Sequence, residues 1–290
     1  MKAAIYSQKK DLDTFLYLNR FISELALRDV SVVLESKTAE KLNFSKDFHT
    51  FSTKDELKEE NVSVVFTFGG DGTILNALTF IQDLEIPIIG VNLGRLGFLA
   101  SFTRDEIFNE LDNIIIEKDY NISERSVIKI ETDSESNIDF PFALNDITVS
   151  RKETTSMITV ESTINGEFLN TFWGDGLIIS TPTGSTAYSL SCGGPILTPT
   201  NDNFVITPIA PHNLNVRPLI VKDDSKIVIK VISRVPQYTL ALDSRLYHMN
   251  VGSEIIIEKA KFSLLLIKPK NFSFFETIRQ KLLWGNDKRN

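Results

Sequence analysis

The chain has 290 residues, 42% of them apolar and 24% charged, with a formal charge of −7. This is a globular composition without the basic footprint of a nucleic-acid binder. No apolar run reaches the roughly 18 residues that span a bilayer, and the single cysteine, Cys192, excludes an internal disulfide. The opening Met1-Lys2-Ala3-Ala4-Ile5-Tyr6-Ser7 lacks a signal-peptide core and reads as a first strand over 3–7. Together these features predict a cytoplasmic protein with no membrane or nucleic-acid partner. Leu12, Phe15, Leu16, Phe21, Ile22 and Leu25 then recur near helical spacing. Strands are expected at 30–34, 62–68 and 86–91, with a helix over 73–82. Nearly unbroken apolar strands alternating with helices predict a parallel sheet covered on both faces. An amphipathic helix over 104–117, with Ile107, Phe108, Leu111, Ile114 and Ile115 on one side, closes an α/β domain assigned to 1–120.

From about 122 the pattern changes to successive strands, at 127–131, 147–150, 157–161, 168–172 and 177–180. More follow at 226–232, 238–242, 254–258 and 262–267. Asn165-Gly166 between two of them is a two-residue hairpin signal. A mostly antiparallel β-rich domain is therefore expected over 121–268. Residues 269–290 are expected to return to the first domain, with a terminal helix over 274–284.

Four stretches carry candidate chemistry. Gly69-Gly70-Asp71-Gly72-Thr73 follows the apolar run 62–68 and opens a helix. A glycine-rich turn at a helix N-terminus suits phosphate, by geometry and by dipole. Asp71 repels phosphate, so it must serve otherwise, by taking a proton or holding a metal. It is expected to stand at the apex with no side-chain bulk beside it. The turn is neither a Walker loop nor the dinucleotide Gly-x-Gly-x-x-Gly fingerprint. A second glycine-rich turn, with Gly94, Arg95 and Gly97, follows the next strand and belongs on the same carboxyl edge of the sheet. There Gly94 and Gly97 serve either a ligand or close packing, and Arg95 either meets phosphate or is solvated. The segment 174–195 is dense in Gly, Ser and Thr around Asp175 and Tyr188, which suits close approach by a flat ligand. Asn145-Asp146 precedes a strand and offers two acceptors for a ribose hydroxyl, although such a pair is most often a turn. His49, His212 and His248 have no metal-ligand spacing, and no residue is assigned as a metal ligand.

These motifs, in this order and together with Arg217-Pro218-Leu219, closely resemble the ATP- or polyphosphate-dependent NAD kinase family. The first turn is shared with diacylglycerol and sphingosine kinases. The 175–195 block is what separates this family from them. The resemblance implies transfer of the terminal phosphoryl of ATP to the 2′-hydroxyl of the adenosine ribose of NAD; a divalent metal, magnesium, is expected on general grounds to screen the phosphates of ATP. It implies Asp71 as general base and Gly70, Gly72 and Thr73 at the phosphates. Asn145 and Asp146 would hold the adenosine ribose and diphosphate side. Thr186, Ala187, Tyr188, Ser189, Leu190 and Ser191 would contact the dinucleotide, Asp175 its nicotinamide end, and Ala210 the wall of the same pocket. It also implies a homodimer or homotetramer with shared sites. Asp146 stands where the family usually has glutamate, and Cys192 where alanine is common. Asp243-Ser244-Arg245 stands where Asp-Gly-Gln is frequent. A lipid kinase and a catalytically silent NAD sensor are the alternative readings.

Overall fold

The computed structural model describes residues 1–9, 11–42, 48–94, 97–133, 138–153 and 156–285. The chain divides into two units, Met1–Glu124 with Leu264–Asn290, and Arg125–Ser263. In the first unit β1 (Lys2–Ser7), β2 (Ser31–Glu35), β3 (His49–Phe51), β4 (Val64–Phe68), β5 (Ile88–Asn92) and β6 (Phe102–Thr103) alternate with five helices. These are α1 (Leu12–Ala26), α2 (Ser36–Lys41), α3 (Lys54–Glu59), α4 (Asp71–Ile81) and α5 (Glu106–Asp112). The sheet runs β5–β4–β1–β2–β3 and every pairing along it is parallel. All residues of β4 and β5 are buried, which is why both read as continuous apolar runs. Helix α1 starts where the Asp11 carboxylate accepts the Thr14 N–H at 2.8 Å. Its stripe of Leu18, Phe21 and Leu25 enters the core, where Phe21 meets Phe66 and Phe68 edge-on. Burial of each such side chain contributes about 1.5–3 kcal/mol.

The second unit is built on antiparallel strands: β7 (Asn121–Thr132), β8 (Phe142–Ala143), β9 (Asp146–Arg151), β10 (Ile158–Ile164), β11 (Glu167–Gly174) and β12 (Gly176–Ser180) come first. After a 3₁₀ turn at Gly184–Thr186 and the short helix α6 (Tyr188–Ser191) come β13 (Asn203–Ile209), β14 (Leu219–Lys222), β15 (Ile227–Ile232), β16 (Gln237–Leu242), β17 (Arg245–Asn250) and β18 (Glu254–Lys268). One sheet has the order β14–β13–β12–β9–β16–β17, and a second ladder runs β11–β10–β15–β18. Ile147, Val149, Leu177, Ile179 and Leu240 of the former share one buried cluster with Val160, Ile229 and Ile255 of the latter. Asn165 and Gly166 join β10 to β11 with φ of 52° and 83°, the two positive values a type I′ turn needs. The last residues of β18 lie in the first unit, where Leu266 pairs in parallel with Ile88 of β5, and α7 (Phe274–Leu282) follows.

The α/β and antiparallel-β fold classes and the returning C-terminal segment are as the sequence implies. Several details differ, among them the following. The strands expected at 254–258 and 262–267 are one strand, because Lys259, Ala260 and Lys261 carry the in–out alternation through without a turn residue. The helix expected to run to 117 ends its regular part at Asp112 and continues as a π turn at Asn113–Glu117, where three β-branched isoleucines crowd. Strand β13 had no sequence signal because of Pro208. Its partner β14 stops opposite Ile206, so the missing N–H of Pro208 costs no bond on that side. Among the described residues no helix is long and apolar enough to cross a membrane.

Candidate active site

In the first unit, β4 delivers the chain to α4 through the glycine turn. Gly70 is the N-cap and no side chain caps this end; the Thr73 N–H turns back to the Gly70 carbonyl at 3.0 Å, and the turn before it suits an anion. A side chain at Gly70 or Gly72 would meet nothing within 4 Å, so the backbone there is open to a ligand. Thr73 is buried, with its Oγ1 3.4 Å from Gln8 Oε1.

Asp71 is the first residue of α4, and three backbone N–H groups bind its carboxylate. Its Oδ2 accepts the Phe98 N–H at 2.8 Å, and its Oδ1 accepts the N–H groups of Leu99 and Ala100, each at 3.0 Å. A Cβ at Gly97 would lie 1.9 Å from Oδ1, so Gly97 is required by close approach of this carboxylate. A carboxylate offers about four acceptor positions. Among the described residues three are taken, and the fourth remains on Oδ2. Arg95 and Leu96 lie outside the described residues. A cavity of about 440 Å³ elsewhere in this unit, lined by Ser101, Glu106, Phe272 and Glu276 among others, includes none of the residues singled out from the sequence.

In the second unit the Asn145-Asp146 corner enters β9. The turn after β12 packs directly on it: Thr181 donates its N–H to the Asn145 carbonyl at 2.9 Å and its hydroxyl to Leu144 O at 2.6 Å. A Cβ at Gly184 would come within 2.0 Å of Asn145 O, so this contact requires glycine. The corner is gripped from below by Asp243, whose carboxylate accepts the N–H groups of Leu144, Asn145 and Asp146 at 3.0, 2.7 and 3.3 Å. Arg245 donates to the Phe140 carbonyl at 2.6 Å and to that of Phe142, and lies over the Phe140 ring. It therefore holds the strand leading into the corner.

Burial pushes the Asp146 carboxyl up to about 7, with the Asp243 carboxyl adding to the shift and a hydrogen bond from Thr148 opposing it. Burial also raises Asp243, against the three N–H bonds it accepts. Tyr188 is 46% exposed. Partial burial raises its phenol, and Cys192, Asp146 and Asp175 add to this, so these four groups share one electrostatic neighbourhood. Burial pushes the Cys192 thiol up as well, which keeps it protonated.

Asp175 forms an ion pair with Arg151 at 3.0 Å, and its N–H bonds the Ile209 carbonyl beside Ala210. Ala210 is exposed and left-handed, with φ of 43°. Thr186 bonds back to Thr183 O at 3.1 Å, and Ser189 turns inward to Thr207 at 2.8 Å. Ala187 and Leu190 are half-buried, and Ser191 is exposed. The second unit thus gathers Asn145, Asp146, Asp175, Tyr188 and the Gly/Ser/Thr turn. Sequence reasoning left Asp243 and Arg245 without a role; for Asp71 it allowed bonds to nearby backbone N–H groups, whereas the donors are Phe98, Leu99 and Ala100.

The glycine turn of the first unit suits a phosphate group, and the hydroxyl-rich turn of the second suits a nucleotide, the chemistry of a phosphotransferase. The model of the ATP-NAD kinase N-terminal domain matches residues 12–120, and that of the ATP-NAD kinase C-terminal domain matches 144–269. The NAD kinase of Christiangramia forsetii is 44% identical over 296 residues, covering 100% of both chains. Yeast NADH kinase, solved with NADH, matches with a TM-score of 0.87 at 25% identity, over 100% of this chain and 89% of that one. An NAD kinase from Archaeoglobus fulgidus, solved with ATP, matches with a TM-score of 0.75 at 25% identity, over 98% and 99%. The chain belongs to the ATP-NAD kinase family, and it is a kinase acting on NAD.

Proposed function

We propose that the protein transfers the terminal phosphoryl of ATP to the 2′-hydroxyl of the adenosine ribose of NAD, with Asp71 as the general base. The carrying observation is the Asp71 carboxylate held by three backbone N–H groups, one on Oδ2 and two on Oδ1, at the N-terminus of α4 that no side chain caps. Phosphoryl transfer proceeds through a loose transition state, so positioning and electrostatics dominate its catalysis. The three N–H bonds fix the carboxylate in one orientation, and Oδ2 accepts the hydroxyl proton as the new O–P bond forms. The turn at Gly70 and Gly72 receives phosphate oxygens on its backbone, with Thr73 closing the first turn of α4 behind it.

Asn145 and Asp146 hold the adenosine ribose and diphosphate side. Tyr188 offers its exposed ring to a base, beside Thr186, Ala187, Leu190 and Ser191. Ser189 supports that turn from within through Thr207. Asp175, Arg151 and Ala210 flank the nicotinamide end. Among the described residues no three His, Cys, Asp or Glu side chains cluster to hold a metal. Magnesium keeps several waters and binds mainly through the phosphates of a nucleotide with one or two carboxylates. The residues at 70–73 would hold it through the nucleotide, and it would neutralise the charge on the transferred group. A cytoplasmic homo-oligomer is part of the same reading.

The test is incubation with NAD, ATP and Mg²⁺, with the product read by an NADP-specific dehydrogenase. Asp71→Asn is expected to lower kcat by about 10²–10⁴-fold while leaving NAD affinity largely intact. A normal kcat would remove Asp71 from the chemistry.

A further inference from the structure

Strand β18 ends on a lysine that none of the motifs includes. Lys268 follows the apolar run Leu264, Leu265, Leu266 and Ile267, and only 2% of its surface is exposed. Burying an ammonium costs several kcal/mol unless its protons are placed well. Lys268 Nζ donates to the Leu99 carbonyl at 2.7 Å and lies 4.6 Å from the centre of the Phe272 ring.

The carbonyl it chooses is informative. Leu99 C=O and Ala100 N–H belong to one peptide group, and Ala100 N–H donates to Asp71 Oδ1 at 3.0 Å. A positive charge on the oxygen end of a peptide polarises it and strengthens the bond made by its N–H end. The ammonium, the peptide and the carboxylate therefore form a relay: Nζ–H to O=C, then N–H to Oδ1. The residue supplying the charge is 169 positions from Leu99 in sequence.

We propose that Lys268 is a positioning residue for the phosphoryl transfer. It locks the Leu99–Ala100 peptide, and with it the orientation of the Asp71 carboxylate, so that the remaining acceptor position on Oδ2 is presented to the substrate hydroxyl. This rests on the reading of Asp71 as base. It also gives the returning C-terminal segment a catalytic task besides packing.

The test compares Lys268→Met, Lys268→Arg, Asp71→Asn and the Asp71→Asn/Lys268→Met double variant in steady-state kinetics on the full chain, with thermal midpoints measured alongside. Lys268→Met is expected to lower kcat at least about tenfold with KM for NAD within about twofold, because an interaction that acts only on the reacting geometry leaves ground-state binding alone. Lys268→Arg, which keeps a charged donor, is expected to recover most of that loss. The double variant is expected to be no slower than Asp71→Asn, since groups acting as one unit are not additive. If Lys268→Met fails to fold, Lys268→Gln stands in, with the same tenfold loss expected. A lowered thermal midpoint with unchanged kcat would overturn the proposal, leaving Lys268 purely structural. Additive losses in the double variant would also overturn it, because Lys268 would then act by another route. A normal kcat in Asp71→Asn alone is a different result: it removes the base reading itself.

Discussion

Two aspartates far apart in sequence use the same device. Asp71 accepts the N–H groups of Phe98, Leu99 and Ala100, and Asp243 accepts those of Leu144, Asn145 and Asp146. In each case one short side chain fixes three successive peptides and so freezes a loop that regular structure cannot hold. Asp146, beside Asp243, pays for its burial with its charge. Its carboxyl titrates near 7 in the fold against an ordinary 3.8. A raised folded-state value stabilises the protein fully below about pH 3.8, and that contribution is lost as the pH rises through about 7. Asp146→Asn, neutral throughout, is therefore expected to melt close to the parent near pH 4 and above it at pH 8. The gain should be roughly 2–4 °C for each kcal/mol of ionisation cost removed. Asp243, Tyr188 and Cys192 also face this carboxyl or its field, so the comparison is made as a difference between variant and parent at each pH. A difference that stays flat with pH would contradict this account.

At the level of elements, the strand-to-helix turn at 69–73 was legible because both of its ingredients are local: an apolar run, then three glycines around an acid. The hairpin at Asn165 and Gly166 was legible for the same reason. The loop that pins Asp71 was not, because its bonds join residues 27, 28 and 29 positions apart. The grip of Asp243 spans 97 to 99 positions, further still beyond any periodicity. Gly97 and Gly184 were visible as glycines, but the reason for them is the approach of Asp71 in one case and of the Asn145 backbone in the other. The 3₁₀ turn at Gly184–Thr186 therefore depends on a missing methyl group. Gly184→Ala is expected to push this turn off the Asn145 corner and cost about 1–3 kcal/mol by overpacking. Weaker NAD binding should accompany a lower denaturation midpoint, read by calorimetry and urea titration. Unaltered NAD affinity would separate the turn from the dinucleotide.

For the whole molecule, the two units differ in how the chain builds them. The second is one continuous segment, Arg125–Ser263, with its own buried cluster, whereas the first is assembled from Met1–Glu124 and Leu264–Asn290. Expressed alone, the segment 125–263 is expected to give a β-rich circular dichroism spectrum and a cooperative melt, and an unfolded product would show that it needs the rest of the chain. The first unit has no such independence during synthesis. Leu266 must emerge from the ribosome before it can align with Ile88, and Lys268 before it can reach Leu99. A nascent polypeptide stalled short of these residues would carry every glycine motif and a finished β half, yet lack the lysine that holds the Leu99–Ala100 peptide against its base. Full catalytic competence would then arrive late in translation, and prematurely terminated products are expected to turn over more slowly than the whole chain.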